Sequence, residues 1–212
     1  MKTTKVLTII VGLSFLSSAC VAIARGQVPA VTIGGAGTTD DDTDDVTGFV
    51  FTVGDLPIAV DELGFWDFGS DGLNVAHDVG IFRQSDQAII VQGTVPAGVD
   101  APLDGGFRYV SIPAITLLAG ESYQAVAYRP APVTDLVGVN FPTFSSASAI
   151  TVDQGIFLNG TGGLAFATSN PGTANGVFGP NFKIHAIPEP STLLLAALGL
   201  LGLLGFTRRR RK

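Results

Sequence analysis

The sequence predicts an all-β body, an antiparallel β-sandwich that is jelly-roll-like in the broad sense. An N-terminal signal peptide and a C-terminal single transmembrane helix flank it within a chain of 212 residues. Three observations carry that expectation. The chain holds 27 Gly and 12 Pro but a single Met, a balance that opposes a helical bundle and suits short strands joined by turns. Apolar and polar residues alternate with period two in short runs along residues 25–186. No stretch there keeps a helical period over ten residues without a Gly or Pro interrupting it.

The alternation predicts strands at Gly48 to Val53, Pro57 to Phe65, Asp78 to Arg83, Gln87 to Val95, Phe107 to Ile112, Glu121 to Arg129 and Asn181 to Ala186. Turn clusters such as Gly69-Ser70-Asp71-Gly72 and Asp104-Gly105-Gly106 separate them. Within the second run Leu63 and Phe65 share a face, and Gly64 leaves room for a neighbour to approach. Charged residues are 14% of the chain against a usual value of about 25%, and 46% are hydrophobic, so the body has the means to build a core.

The two ends read as addresses. Residues 1–24 have the order of a secretory signal: Lys2 and Lys5, an apolar run from Val6 to Leu16, then small residues ending Ala22-Ile23-Ala24. The run is shorter than the roughly 20 residues a spanning helix needs, so cleavage by signal peptidase after Ala24 is expected, removing Cys20 with it. At residues 187–212 three signals stand in order. Pro188, Glu189 and Pro190 come first, then an apolar stretch from Leu193 to Phe206 with eight Leu in fourteen positions, then the basic tail Arg208, Arg209, Arg210, Arg211 and Lys212. The prolines block helix continuation on their N-terminal side, and Ser191 can cap a helix over about 192–207. From Ser191 to Thr207 such a helix is about 25 Å long, at the short end of what spans a bilayer. Five adjacent cations act as a stop signal that stays in the cytoplasm, leaving the body outside the inner membrane. Ala196, Gly199, Gly202 and Gly205 line one side of the span with small side chains.

This tripartite tail resembles the PEP-CTERM sorting signal of Gram-negative bacteria that make extracellular polysaccharide. The resemblance implies a partner, an exosortase, which would cut at or near Pro188 to Pro190 and discard the tail. It also implies a mature protein at the cell surface or in the extracellular matrix. Residues 58–130 resemble a module that recurs in PEP-CTERM proteins, on Leu63-Gly64-Phe65, Asp71-Gly72-Leu73, His77-Asp78-Val79-Gly80-Ile81, Gly106-Phe107-Arg108-Tyr109 and Leu118-Ala119-Gly120-Glu121-Ser122-Tyr123. That second resemblance implies a β-sandwich and no particular activity.

With both ends removed, five cations (Arg25, Arg83, Arg108, Arg129 and Lys183) face seventeen Asp and Glu, a balance of −12. Such a surface excludes nucleic acid as a partner, since phosphate neutralisation needs surplus Lys and Arg. Three readings of the body's function follow. The first is a structural or adhesive component of an exopolysaccharide or biofilm, with extracellular polysaccharide as a partner. The second is a calcium-assisted carbohydrate-binding module. The third is a glycoside hydrolase acting on the matrix.

The candidate residues divide along those lines. Five carboxylates stand in six positions at Asp40, Asp41, Asp42, Asp44 and Asp45, and Asp40, Asp42 and Asp44 are the candidate calcium ligands there; Asp67 and Asp71 form a second cation loop. Extracellular modules bind calcium through several oxygens at about 0.1 to 1 mM. Neither run has EF-hand spacing, so solvated acidic turns compete with the metal reading. Calcium is the sole cofactor candidate. Trp66, beside Phe65 and Phe68, is the candidate for stacking on a sugar; if Phe65 faces the core, Trp66 faces out. His77 and His185 have no metal-ligand partner at short spacing, and packed or hydrogen-bonded roles are expected. No nucleophile elbow, His-Glu-x-x-His or phosphate loop is present. Glycoside cleavage needs two carboxylates about 5 to 10 Å apart, and Asp61, Glu62, Asp67 and Glu121 are candidates among which the sequence selects no pair. The expectation is a protein with no catalytic residues, not an enzyme.

Overall fold

A computed structural model describes residues 26–34, 37–132, 135–139, 143–169, 177–186 and Gly199. The strands among these are β1 (Val28–Pro29), β2 (Val31–Gly34), β3 (Thr38–Asp40), β4 (Asp45–Val53), β5 (Ile58–Trp66), β6 (His77–Arg83), β7 (Ile89–Val95), β8 (Leu103–Asp104), β9 (Phe107–Leu117), β10 (Ser122–Arg129), β11 (Val137–Val139), β12 (Thr143–Ser146), β13 (Ile150–Asn159), β14 (Val177–Phe178) and β15 (Pro180–Ala186). Each of the seven expected strands is present within a few residues of its expected limits. The signal peptide, the Pro-Glu-Pro motif and the basic tail lie outside the described residues. Of the expected C-terminal helix only Gly199 is described, and it is helical. No helix among the described residues is long and apolar enough to cross a membrane.

Two five-stranded antiparallel sheets form the body, in the orders β1-β15-β5-β9-β8 and β13-β4-β10-β6-β7. Their inner faces meet in one core. Phe49 and Phe51 of β4 pack on Phe182 of β15, with ring centroids 6.4 and 4.9 Å apart, and Tyr123 of β10 stacks on Phe51. Leu63 and Phe65 of β5 are fully buried in it. Burial of such side chains is the main favourable term holding the two layers together.

The second sheet is covered on its other face as well. Val46, Val50, Phe82, Val126 and Ile156 pack beneath Leu164, Ala165 and Phe166. Gln124 fixes that covering segment: its side-chain carbonyl accepts from the Ala167 N–H at 2.9 Å, and its amide donates back to the Ala167 carbonyl. Burial on both faces explains why β4 reads as nearly continuous apolar sequence. It also makes Gly48 obligatory, because a Cβ there would lie 1.9 Å from the Ala125 carbonyl oxygen.

β13 is the long strand that the alternation failed to announce. It pairs with β4 over nine positions, with a bulge between Val152 and Gln154 that puts Asp153 out of step. A bulge shifts the side-chain period by one, and here Asp153-Gln154 stand as adjacent polar residues before the apolar run Ile156-Phe157-Leu158.

Candidate functional site

Three constellations of charge are built onto this frame, and they absorb most of the residues singled out above.

The first is the acidic run at the start of β4. Its partner is Arg129, the last residue of β10, which lies beside Asp45 in the sheet register. Arg129 is fully buried. It donates to Asp45 through Nε at 2.8 Å and Nη2 at 2.6 Å, a bidentate pair, and also to the Asp40 carboxylate at 2.7 Å and the Asp40 backbone carbonyl at 3.0 Å. Burial opposes the charge on Arg129, but the hydrogen bonds and charges of Asp45 and Asp40 outweigh it, so its pKa stands above its ordinary value. Asp44 turns the chain at φ 56° and accepts from the Tyr128 hydroxyl and the Gly162 N–H, both at 3.0 Å. Asp42 bonds back towards Asp40 through its N–H at 3.5 Å.

The second centres on Asp67, which is buried after β5. Its Oδ2 accepts from Arg108 Nε at 2.7 Å, and both its oxygens face the Gly72 N–H. Arg108 reaches on to the carbonyls of Val99 and Ala101, at 2.9 Å each, and so ties the 96–102 loop to the sheet. Asp71 is exposed on the neighbouring turn.

The expected calcium ligands are therefore not brought together. Asp40, Asp44 and Asp67 turn their oxygens towards guanidinium, phenol and backbone donors. Among the described residues no group of three or more His, Cys, Asp or Glu is placed to hold a metal ion. Calcium binding requires several oxygens converging on one point.

The third lies on the outer face of the first sheet. Lys183 of β15 bridges Glu62 of β5, at 3.2 Å, and Asp104 of β8, at 3.1 Å, with its ammonium 4.6 Å above the centre of the Tyr109 ring. Burial lowers and the two carboxylates raise the Lys183 pKa, which ends above its ordinary value. Tyr109 lies over Gly64, as the sequence expected of a close neighbour there: a Cβ at Gly64 would be 2.6 Å from the ring. The residue is buried, and its hydroxyl has no hydrogen-bond partner among the described residues. Burial, with the charges of Asp104 and Glu62, pushes the phenol well above its ordinary pKa and keeps it neutral. Tyr109→Phe removes an unpartnered hydroxyl and is expected to stabilise the fold by about 1–3 kcal/mol, read as a higher denaturant midpoint; a lower midpoint would contradict this. A concavity of about 360 Å³ adjoins the cluster, lined by Pro96, Asp100 and Pro102 besides Glu62, Tyr109 and Lys183.

Trp66 follows the expected division. Phe65 is fully buried, whereas Trp66 faces outward, half-buried and edge-on to Phe68 at 5.4 Å; Phe68 is 53% exposed. His77 is buried, stacks on Phe65 at 3.7 Å and lies within 3.0 Å of the Tyr128 carbonyl and 2.9 Å of Asp135. Burial works to raise the Asp135 carboxyl, but hydrogen bonds from His77 and from the N–H groups of Asn74 and Val75 outweigh it and hold the pKa below the ordinary carboxylate value. A depressed native pKa stabilises the fold above the unfolded value of about 3.9. Stability from this group is therefore expected to fall as the pH drops through that value towards the lower native one. Asp135→Asn should flatten the acid limb of stability against pH, measured by denaturant titration at several pH values.

Asp61 accepts from Gln27 at 2.8 Å and lies 3.8 Å from His185. The sequence reading named Arg108, Tyr109 and Arg129 only as cations or landmarks, and it gave neither them nor Asp135 a partner. Their partners lie far off in sequence, 84 positions between Arg129 and Asp45 and 41 between Arg108 and Asp67.

The fold and these networks define an anionic, antiparallel β-sandwich whose last strand, β15, ends at Ala186. The model of the PEP-CTERM protein-sorting motif matches residues 186–211, so it begins where the sheet stops. The chain carries a PEP-CTERM sorting motif, the mark of an exported protein processed by an exosortase, held transiently in the membrane and then delivered to the cell surface. A comparison with curated proteins finds no match.

Proposed function

We propose that the acidic sandwich is a non-enzymatic structural or adhesive component of the cell surface or of a polysaccharide matrix, released from the inner membrane by an exosortase. The observation that carries this reading is the sorting motif at residues 186–211, joined to the end of the last strand. The chemistry of the body supports it. The described cations Arg83, Arg108, Arg129 and Lys183 are each bound by a carboxylate of the same chain, which leaves an anionic surface suited to remaining soluble outside the cell.

Cell fractionation tests the reading. An epitope inserted before Ile187 is expected outside the inner membrane in the processed protein. Substituting Pro188 and Pro190 together should trap a longer, membrane-held precursor. If the double variant is processed and exported like the parent, the Pro-Glu-Pro motif does not direct this protein.

A further inference from the structure

The outer face of the first sheet carries a polar concavity that the core does not need. Along β5 the inward turns of Leu63 and Phe65 leave Glu62, Gly64 and Trp66 on that face, with no register shift between them. Tyr109 of β9 lies over Gly64, and Ser111 pairs with Glu62. The concavity of about 360 Å³ adjoins them: Pro96 and Pro102 give it apolar walls, and Glu62, Asp100, Ser111 and Lys183 give it polar ones.

One group there is out of place in a purely structural cluster. Tyr109 lines the concavity and is 2% exposed, yet its hydroxyl bonds to nothing among the described residues. A buried polar group without a partner is costly, and one at the wall of a cavity calls for a partner from outside the chain. The charges of Asp104 and Glu62 act on the phenol, which sets it near the two carboxylates that hold Lys183. The Asp104 side chain is 60% exposed, and its bridge to Lys183 is of the surface kind that yields to a competing group.

We propose that this concavity binds a neutral sugar unit of an extracellular polysaccharide, with Trp66 and Phe68 as a platform for further units of the same chain. The site deepens the matrix reading above and rests on it. Donor and acceptor chemistry selects the ligand. Lys183 only donates, Glu62 and Asp100 only accept, and the hydroxyls of Tyr109 and Ser111 do both. A ligand that meets them all within one small concavity must donate and accept from adjacent atoms. The vicinal hydroxyls of a sugar ring do so, whereas a peptide points its N–H and C=O to opposite sides of its chain. An acidic sugar would face Glu62, Asp100 and Asp104 with a single ammonium among them, and a cation would leave Lys183 without an acceptor. Trp66 stands four residues from Glu62 on the same face, about 13 Å along the strand and within reach of a short oligosaccharide. Its half-buried ring and the exposed Phe68 offer flat apolar surface to the C–H face of a sugar.

Calorimetric titration of the exported, processed protein tests the site. The probes are neutral tetrasaccharides of glucose, galactose and mannose, with tetragalacturonate as the anionic control and tetraalanine as the peptide control. At least one neutral sugar is expected to bind at concentrations up to about 10 mM, and neither control. Tyr109→Phe should bind that sugar about tenfold more weakly while its denaturant midpoint rises, a combination that a merely structural tyrosine would not give. Asp100→Ala, at an exposed side chain, should weaken binding several-fold with the midpoint unchanged. Binding of none of the neutral sugars, equal binding of either control, or a Tyr109→Phe variant that binds as the parent does would overturn the site. Such a result in a protein still exported and processed leaves the surface role standing, whereas a chain kept at full length in the inner membrane defeats that role itself.

Discussion

Replacing Arg129 with methionine is expected to cost about 3–5 kcal/mol, a large share of the 5–15 kcal/mol that typically holds a domain folded. The guanidinium is fully buried and forms a bidentate pair with Asp45, itself 3% exposed. Methionine fills similar volume but leaves the Asp45 carboxylate buried without its counter-ion, and that uncompensated charge carries most of the penalty. Removing both partners, as Arg129→Met with Asp45→Leu, should recover much of the loss, since the stranded charge goes too. Asp40, with a 34% exposed side chain, can be solvated and should matter less: Asp40→Asn is expected to cost about 1 kcal/mol or less. Chemical denaturation of the three variants beside the parent checks the order. Equal losses for Arg129→Met and Asp40→Asn would contradict the assignment of Asp45 as the principal partner.

Phe182→Ala should be about as damaging, at 3–5 kcal/mol. Its ring touches Phe49 and Phe51 from the opposite sheet, so truncation opens a cavity where the two layers meet rather than at their margin. Phe182→Leu retains most of the volume and should cost less than half as much. The same truncation at Phe68, which is 53% exposed beyond the end of β5, should change stability by no more than about 0.5 kcal/mol. Denaturant midpoints of the three variants separate these cases. A Phe68 variant as unstable as Phe182→Ala would contradict the placement of the core between the sheets.

The sandwich was legible wherever a strand showed strict or near alternation over six or more residues, as in β5, β6, β9, β10 and β15, even though the β5 pairings carry register shifts. β13 was not, because Asp153-Gln154 stand as adjacent polar residues in its middle and Ile156-Phe157-Leu158 follow as consecutive apolar ones. Short strands such as β1, β11 and β14 offer two or three residues each, too few to display alternation. The inward Phe65 and outward Trp66 followed from the pleat alone. What a list of acidic residues withholds is the identity of their partners. Asp40 to Asp45 has the density of a cation loop, and only the pairing of β4 with β10 reveals that a buried Arg129 takes its principal charge. The sorting signal posed no such difficulty, because its three parts are contiguous and need no folding to be recognised.

Export followed by removal of the tail is the central claim, and the intact mass of the protein recovered outside the cell tests it most directly. The expected species begins after Ala24 and ends at or near Pro188 to Pro190, with any group attached at the cut showing as added mass. Recovery of a full-length chain retaining Arg208 to Lys212 would contradict it.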